Sequence, residues 1–137
     1  MLVYNSDTEP PALLTSNFSP TEISLDSDRR AIDFSVHIKD ARGVKLAELR
    51  CVEENHTLLL SRIVMSGSFA GRVSFGAIDS GFNWVSSWDG NRYDFEVSAQ
   101  GLLPPETQAL NCSWYAYLED SLGNSQLIET GHALRVN

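Results

Sequence analysis

The sequence predicts an all-β fold, either a sandwich or a barrel, from three observations. Short segments alternate apolar and polar residues with a period of two, as half-buried strands do. Turns that contain Gly, Asp, Asn or Pro separate these segments. No segment has a convincing amphipathic-helix pattern. With 137 residues, the chain is long enough for one domain with its own hydrophobic core.

The chain opens with a polar segment and then enters the first strands. Residues 1–11 end in Pro10-Pro11 and are predicted to form a linker or leader, because consecutive prolines favour extended backbone. A single domain is therefore expected over 12–137. Its clearest strand covers 31–39, where four apolar residues alternate with polar ones: Ile32, Phe34, Val36 and Ile38.

The middle of the chain continues the pattern less regularly. Segment 44–54 alternates apolar and charged residues and is predicted to be a strand, although it also has some helical character. Segments 57–65 and 69–75 are predicted to be strands joined through Ser66-Gly67. The segment 81–90, rich in Gly, Ser and Asn, is predicted to lie in a loop.

Three strands are predicted for the last third of the chain. Residues 93–97 alternate directly after the loop, and 112–119 alternate after the interruption at Pro104-Pro105. The turn 120–124 then leads to the last predicted strand, 126–136. Short strands at such regular spacing are typical of a β-sandwich or barrel.

The net charge of −8 argues against two classes of partner. The basic residues are scattered, whereas nucleic-acid binding needs a basic patch that neutralises phosphates. An acidic surface also disfavours anionic lipid. No apolar stretch approaches the roughly 20 residues of a membrane-spanning helix, so no membrane insertion is expected. Residues 1–7 lack the regions of a secretory signal, and we expect a piece of a longer exported chain rather than an intracellular protein.

Several motifs occur in a characteristic order. Phe18-Ser19-Pro20-Thr21 precedes the clearest strand, and Asp40-Ala41-Arg42-Gly43-Val44 ends it. Asp89-Gly90-Asn91-Arg92-Tyr93 opens a later strand. The late strand carries Trp114 and ends in Asp120-Ser121-Leu122-Gly123-Asn124. Over most of 12–137 this order resembles the bacterial immunoglobulin-like domains that are repeated in tandem in large surface and secreted proteins.

The resemblance implies an immunoglobulin-like β-sandwich of seven to nine antiparallel strands in an extracytoplasmic protein. It implies a non-catalytic spacer or adhesive binding module of a larger bacterial surface or secreted protein, flanked by neighbouring domains. Two alternatives stay open: a carbohydrate-binding accessory domain of a secreted polysaccharide-active enzyme, and a structural protein of a phage or secretion machine. The fold alone assigns no ligand, because function depends on sites that vary within a fold.

Catalysis is not expected from this sequence. A Ser-His-Asp triad needs three converging groups, and no nucleophile elbow of the form G-x-S-x-G is present. The three histidines, His37, His56 and His132, are predicted to be polar surface residues. No catalytic residue is therefore assigned.

Asp40 and Asp120 are the candidate ligands for calcium. Each ends a strand at a Gly-containing turn, and such turns can meet at one end of a sandwich to supply oxygen ligands. The alternative is that each carboxylate caps its own turn by accepting backbone N–H groups. No other cofactor is expected.

The segment 81–90 is the candidate ligand-binding face, for a protein or a glycan partner. Asn83, Trp84, Trp88 and the nearby Tyr93 are its candidate contacts, because aromatic faces stack on sugars or fill pockets of a partner. The alternative is that the tryptophans fill the edge of the sandwich. Trp114 alternates with apolar residues and is predicted to lie in the core.

Cys51 and Cys112 share the inward register of their predicted strands. They are candidates for a disulfide bond, and two buried free thiols are the alternative. Neither cysteine lies in a C-x-x-C pair, so a zinc site has no support.

Three Asn-x-Ser/Thr triplets have the form of glycosylation acceptors, and they begin at Asn17, Asn55 and Asn111. In a chain rich in serine such triplets arise by chance, and if the source is bacterial they mean little.

Overall fold

The computed structural model describes residues 9–28, 30–66, 70–77, 82–83, 85–103 and 107–137. These residues form an all-β structure of two packed sheets. Most of the predicted linker, 1–11, lies outside the described residues. The described part contains no helix that could span a membrane.

Eleven strands occur in the described residues, and two of them are only two residues long. They are β1 (Ala12–Ser19), β2 (Glu22–Ile23), β3 (Ala31–Lys39), β4 (Val44–Glu53), β5 (His56–Ser66), β6 (Ala70–Ala77), β7 (Phe82–Asn83), β8 (Val85–Asn91), β9 (Asp94–Leu102), β10 (Leu110–Asp120) and β11 (Ser125–Val136). The count exceeds the seven to nine expected from the sequence.

The strands divide into a four-stranded and a seven-stranded sheet. The four-stranded sheet has the order β1-β3-β9-β8, and the seven-stranded sheet has the order β2-β11-β10-β4-β5-β6-β7. Neighbouring strands are antiparallel except β2 and β11, which are parallel. The segment with some helical character is thus β4, held in the middle of a sheet by ladders on both sides.

The prediction that 81–90 forms a loop is wrong for most of this segment. Phe82–Asn83 is β7, and Val85–Asn91 is β8, which pairs with β9 along seven residues. An edge strand forms a ladder on one side only, so Ser and Gly are tolerated in it despite their low β-propensity. Gly90 even suits its position, because φ is +112° and an added Cβ would lie 2.1 Å from the carbonyl oxygen of Asp94.

The core lies between the inner faces of the two sheets. Trp114 is buried there, as predicted, and its ring stacks on Phe18 with centroids 4.6 Å apart. Alternate residues of β3, β4, β9 and β10 supply most of the buried side chains, among them Ile32, Ile38, Leu49, Phe95, Val97 and Leu118. The period-two pattern that predicted these strands therefore also identifies their inward faces.

The sandwich has two ends, which we call the upper and the lower pole. The upper pole contains the turns 40–43, 92–93 and 121–124. The lower pole contains the start of β3, the turn 54–55 and the end of β11. The two poles and the outer faces of the two sheets are the solvent-facing parts of the sandwich.

Candidate functional site

Asp120 organises the turn 121–124 at the upper pole. Its side chain is fully buried, and Oδ1 accepts the backbone N–H of Leu122 at 2.9 Å and of Asn124 at 2.8 Å. Oδ2 accepts the side-chain amide of Asn124 at 3.0 Å. The carboxylate therefore acts as the cap of its own turn, which is the structural role that the sequence left open.

Asp40 caps the neighbouring turn in the same way, since Oδ1 accepts the N–H of Arg42 at 2.7 Å. The two turns meet, as the sequence predicted, because Ser121 donates both its N–H and its hydroxyl to the carbonyl of Gly43 at 3.0 and 3.1 Å. The turn 40–43 also bonds to 92–93 through Asp40 N–H and Val44 N–H. Three turns from two sheets are thus tied together.

The described residues contain no group of three or more His, Cys, Asp or Glu side chains that could hold a metal ion. Calcium requires six to eight oxygen ligands. Asp40 and Asp120 each direct carboxylate oxygen at backbone donors of their own turns. The geometry of the upper pole is therefore that of a polar junction between turns.

The candidate ligand residues belong to different elements of the fold. Asn83 belongs to β7 in the seven-stranded sheet, and Trp88 belongs to β8 in the four-stranded sheet. Trp84 lies outside the described residues, as do the side chains of Asn83 and Trp88. Tyr93 is 43% exposed at the upper pole, where its hydroxyl accepts a hydrogen bond from Arg92 Nη2 at 2.8 Å.

The histidines lie in three different places. His37 lies on the outer face of the four-stranded sheet, with Nε2 2.6 Å from Asp94 Oδ1 and Nδ1 3.5 Å from Glu96 Oε1. His132 donates from Nε2 to the carbonyl of Ser16 at 3.0 Å. His56 is exposed at the start of β5. The three rings are therefore not components of one site.

The outer face of the seven-stranded sheet has a charged cluster that the sequence did not reveal. We call Glu48, Arg50, Arg62 and Tyr117 the arginine cluster. Glu48 Oε1 accepts hydrogen bonds from Arg50, and Oε2 accepts one from Arg62 Nε at 2.7 Å. The Arg50 guanidinium lies 4.5 Å from the ring centroid of Tyr117, within the range of a cation–π interaction.

The arginines determine the charge of Glu48. Burial by itself raises the pKa of this carboxyl, but hydrogen bonds and charge interactions with Arg50 and Arg62 outweigh burial and lower its pKa. Glu48 is therefore ionised and holds both guanidinium groups in place. Cross-strand register explains the cluster, because Glu48 lies opposite Arg62 on β5 and Tyr117 on β10.

Leu127 extends the same surface. It lies opposite Tyr117 on β11 and is 55% exposed. Tyr115 and Leu60 flank Arg50 in the neighbouring cross-strand row and are half-buried. The outer face thus combines aromatic, aliphatic and guanidinium groups. Tyr and Arg are enriched in the surfaces through which proteins bind one another.

Cys51 and Cys112 form a disulfide bond with their Cα atoms 5.3 Å apart. The bond joins β4 and β10, which are adjacent strands of the seven-stranded sheet. It lies beside Trp114, which is the cross-strand partner of Cys51. The bond therefore crosslinks one sheet internally and leaves the contact between the two sheets to packing.

No protein-family model matches the chain, and no curated protein matches it.

Proposed function

We propose that this chain is a non-catalytic, extracytoplasmic immunoglobulin-like module that acts as a spacer under tension between neighbouring domains. The observation that carries the proposal is the position of its first and last long strands. β1 begins at the upper pole, where Ala12 pairs with Lys39, and β11 ends at the lower pole, where Val136 pairs with Leu110. Domains attached before and after it would therefore be held apart by the length of the sandwich.

The strand order supports the immunoglobulin-like assignment. A variable-type immunoglobulin domain has the strands A, B, E and D in one sheet, and G, F, C, C′ and C″ in the other. The orders β1-β3-β9-β8 and β11-β10-β4-β5-β6 correspond to these sheets strand for strand. The departures are the position of the disulfide, which joins the equivalents of C and F, and the added strands β2 and β7.

The arrangement of the first and last strands suits a tensile load. β2 and β11 are parallel, and the N–H groups of Arg135 and Asn137 donate to the carbonyls of Thr21 and Ile23 at 2.9 and 3.0 Å. A pull applied at Ala12 and Asn137 acts along these strands and in opposite directions. The hydrogen bonds are then loaded together in shear, whereas a peeling force would break them one by one.

Side chains add two further connections, which join β11 to the first strand of the domain. Gln126 Nε2 donates to the carbonyl of Pro11 at 2.7 Å, and His132 Nε2 donates to the carbonyl of Ser16 at 3.0 Å. Both bonds join β11 to β1 or to the residue just before it. They lie along the same direction of load as the β2–β11 ladder and therefore support the mechanical role.

The disulfide supports the extracytoplasmic part of the proposal, because such bonds persist mainly in oxidising compartments. It also limits extension after unfolding. The bond spans 61 residues of sequence, which corresponds to about 210 Å of extended chain that stays closed until the bond is reduced.

Single-molecule stretching tests the proposal. A tandem repeat of the domain is pulled from end to end. The matched control is the Leu122→Cys variant pulled between Ala12 and position 122, which both lie at the upper pole. We expect a peak unfolding force several times higher in the pole-to-pole direction. Each event should lengthen by about 210 Å more after reduction of the disulfide. Equal forces in the two directions would contradict the spacer function.

Protein binding is a second candidate function, favoured by the arginine cluster and the exposed Leu127 beside it. An array of short peptides would be probed with the wild type and with the Tyr117→Ser and Leu127→Ser variants. Leu102→Ser is the matched control, since Leu102 is 59% exposed in the other sheet. We expect a set of peptides whose binding is lost in the first two variants and kept in the control. Binding that is unchanged in all three variants would exclude this surface.

A further inference from the structure

The three Asn-x-Ser/Thr triplets occupy different structural contexts. Asn17 lies within β1 and pairs with Ser35. Asn111 lies within β10, where it pairs with Arg135 and is followed by the disulfide-bonded Cys112. Asn55 lies in the turn between β4 and β5. A transferase that attaches a glycan must reach the side-chain amide of the Asn and the hydroxyl two residues later. The two triplets inside strands are therefore poor glycan acceptors.

Asn55 is presented at the lower pole by a two-residue hairpin turn. Glu54 and Asn55 have φ values of +50° and +68°, which is the pattern of a type I′ turn. Asn tolerates this left-handed conformation better than most residues do. Asn55 is exposed, and both turn residues lie beyond the last paired residues, Glu53 and His56. The acceptor amide is thus accessible in the folded protein.

The hydroxyl of the triplet belongs to Thr57, which pairs with Val52. A register shift between Cys51 and Val52 separates the last two pairs of this hairpin from the rest of the ladder. Opening the hairpin tip therefore breaks these two pairs, together with the pairing of Val52 to Ser113 and the hydrogen bond from Asn111 N–H to Glu53 Oε2 on the β10 side. Local opening of so short a segment costs far less than global unfolding.

We propose that Asn55 is an attachment site for an N-linked glycan. The co-reactant is an oligosaccharide linked to a lipid diphosphate. In the transfer, Asn55 Nδ2 forms a bond to the anomeric carbon, and the bond between that carbon and the diphosphate oxygen breaks. The amide nitrogen loses one proton, and the lipid diphosphate is the leaving group. The inference rests on the extracytoplasmic location in the proposed function, because such transferases act on exported chains, but it does not depend on the mechanical role.

The test is export of the full chain from a bacterial host that carries an oligosaccharyl transferase and its lipid-linked oligosaccharide, followed by intact-mass measurement. A known acceptor protein in the same host shows that the transferase is active. We expect the wild type to gain the mass of one oligosaccharide. Asn55→Asp should lose this gain, and it keeps a residue type that tolerates the turn conformation.

Further variants separate the acceptor from a structural effect. Thr57→Ser keeps the hydroxyl and should keep the glycan, whereas Thr57→Val keeps the β-branched shape and should lose it. Asn17→Asp and Asn111→Asp should both keep the glycan. An unmodified wild type, or a mass gain that persists in Asn55→Asp, would overturn the proposal. The stretching experiment uses unglycosylated protein, so the spacer function and the glycan site can fail independently.

Discussion

Reduction of the disulfide bond is expected to cost a large part of the stability of this domain. The bond closes a loop of 61 residues and so removes conformational entropy from the unfolded chain. For a loop of this length the chain-entropy relation gives a contribution of about 4 kcal/mol at 25 °C. Native proteins have free energies of unfolding of about 5–15 kcal/mol, so about 1–11 kcal/mol should remain after reduction.

Urea denaturation of the oxidised and the reduced wild type measures this contribution. Comparing the two states keeps every side chain in place, so no cavity at the buried Cys51 or Cys112 confuses the result. With a slope near 2 kcal/mol/M, the midpoint should fall by roughly 2 M. The slope should also rise on reduction, because the open loop exposes more surface when it unfolds.

A control variant excludes direct effects of the reductant. In Cys51→Ala/Cys112→Ala the reductant should leave the midpoint unchanged. A loss of less than about 1 kcal/mol in a wild type shown to have two free thiols would refute the reasoning, because the loop term would then be absent. A loss well above the entropic value would instead indicate that the bond also organises native packing around Trp114.

Four further predictions test individual parts of the fold. Gly90→Ala should destabilise the domain by about 2–4 kcal/mol, through strain at positive φ and contact with a backbone carbonyl. Gly123→Ala, where φ is +89° and nothing lies within 4 Å of the added Cβ, should cost only about 1 kcal/mol. Thermal unfolding compares the two variants, and equal losses would contradict the contact argument. Asp120→Ala should cost about 1–3 kcal/mol because the N–H groups of Leu122 and Asn124 lose their carboxylate acceptor, and Asp120→Asn, which keeps one oxygen, should cost less. Urea denaturation compares the two variants, and equal losses would count against the cap. Because the pKa of Glu48 is lowered, its ionised carboxylate stabilises the folded protein at pH values above the ordinary pKa of 4.5, and this stabilisation is lost as the pH falls through the folded pKa. Glu48→Gln should therefore flatten the acid limb of a stability–pH profile. An unchanged limb would exclude this role. Glu54→Asn should stabilise the hairpin by about 0.5–1 kcal/mol, because Asn adopts the left-handed conformation more readily than Glu does. A thermal melt that shows a destabilised variant would contradict the turn assignment.

The regular strands of the core were predictable because burial imposes a period of two on the sequence. The alternation in β3 and β10 identified their inward faces, including Trp114, and the extent of β3, whereas β10 begins before and ends after the predicted segment 112–119. β8 was not predictable in this way. Its edge position requires only one ladder, so the segment keeps Ser and Gly residues that are typical of loops.

The sites depended on register, which a single sequence does not encode. Asp40 and Asp120 were recognisable as turn residues, since a carboxylate after a strand and before Gly has a local role. The arginine cluster was not recognisable, because Glu48 meets Arg62 and Tyr117 only through the pairing of β4 with β5 and β10. Arg50, two residues from Glu48 on the same strand face, was the one local signal of this cluster.

The bonds from Gln126 and His132 to β1 have a consequence for how such molecules behave at high density. β1 is an edge strand of the four-stranded sheet, and its free carbonyl groups could accept a strand from another molecule. The side chains of β11 instead occupy the carbonyls of Pro11 and Ser16. A strand from another molecule that paired along this edge would therefore have to displace both side chains, which raises the free-energy cost of association through β1.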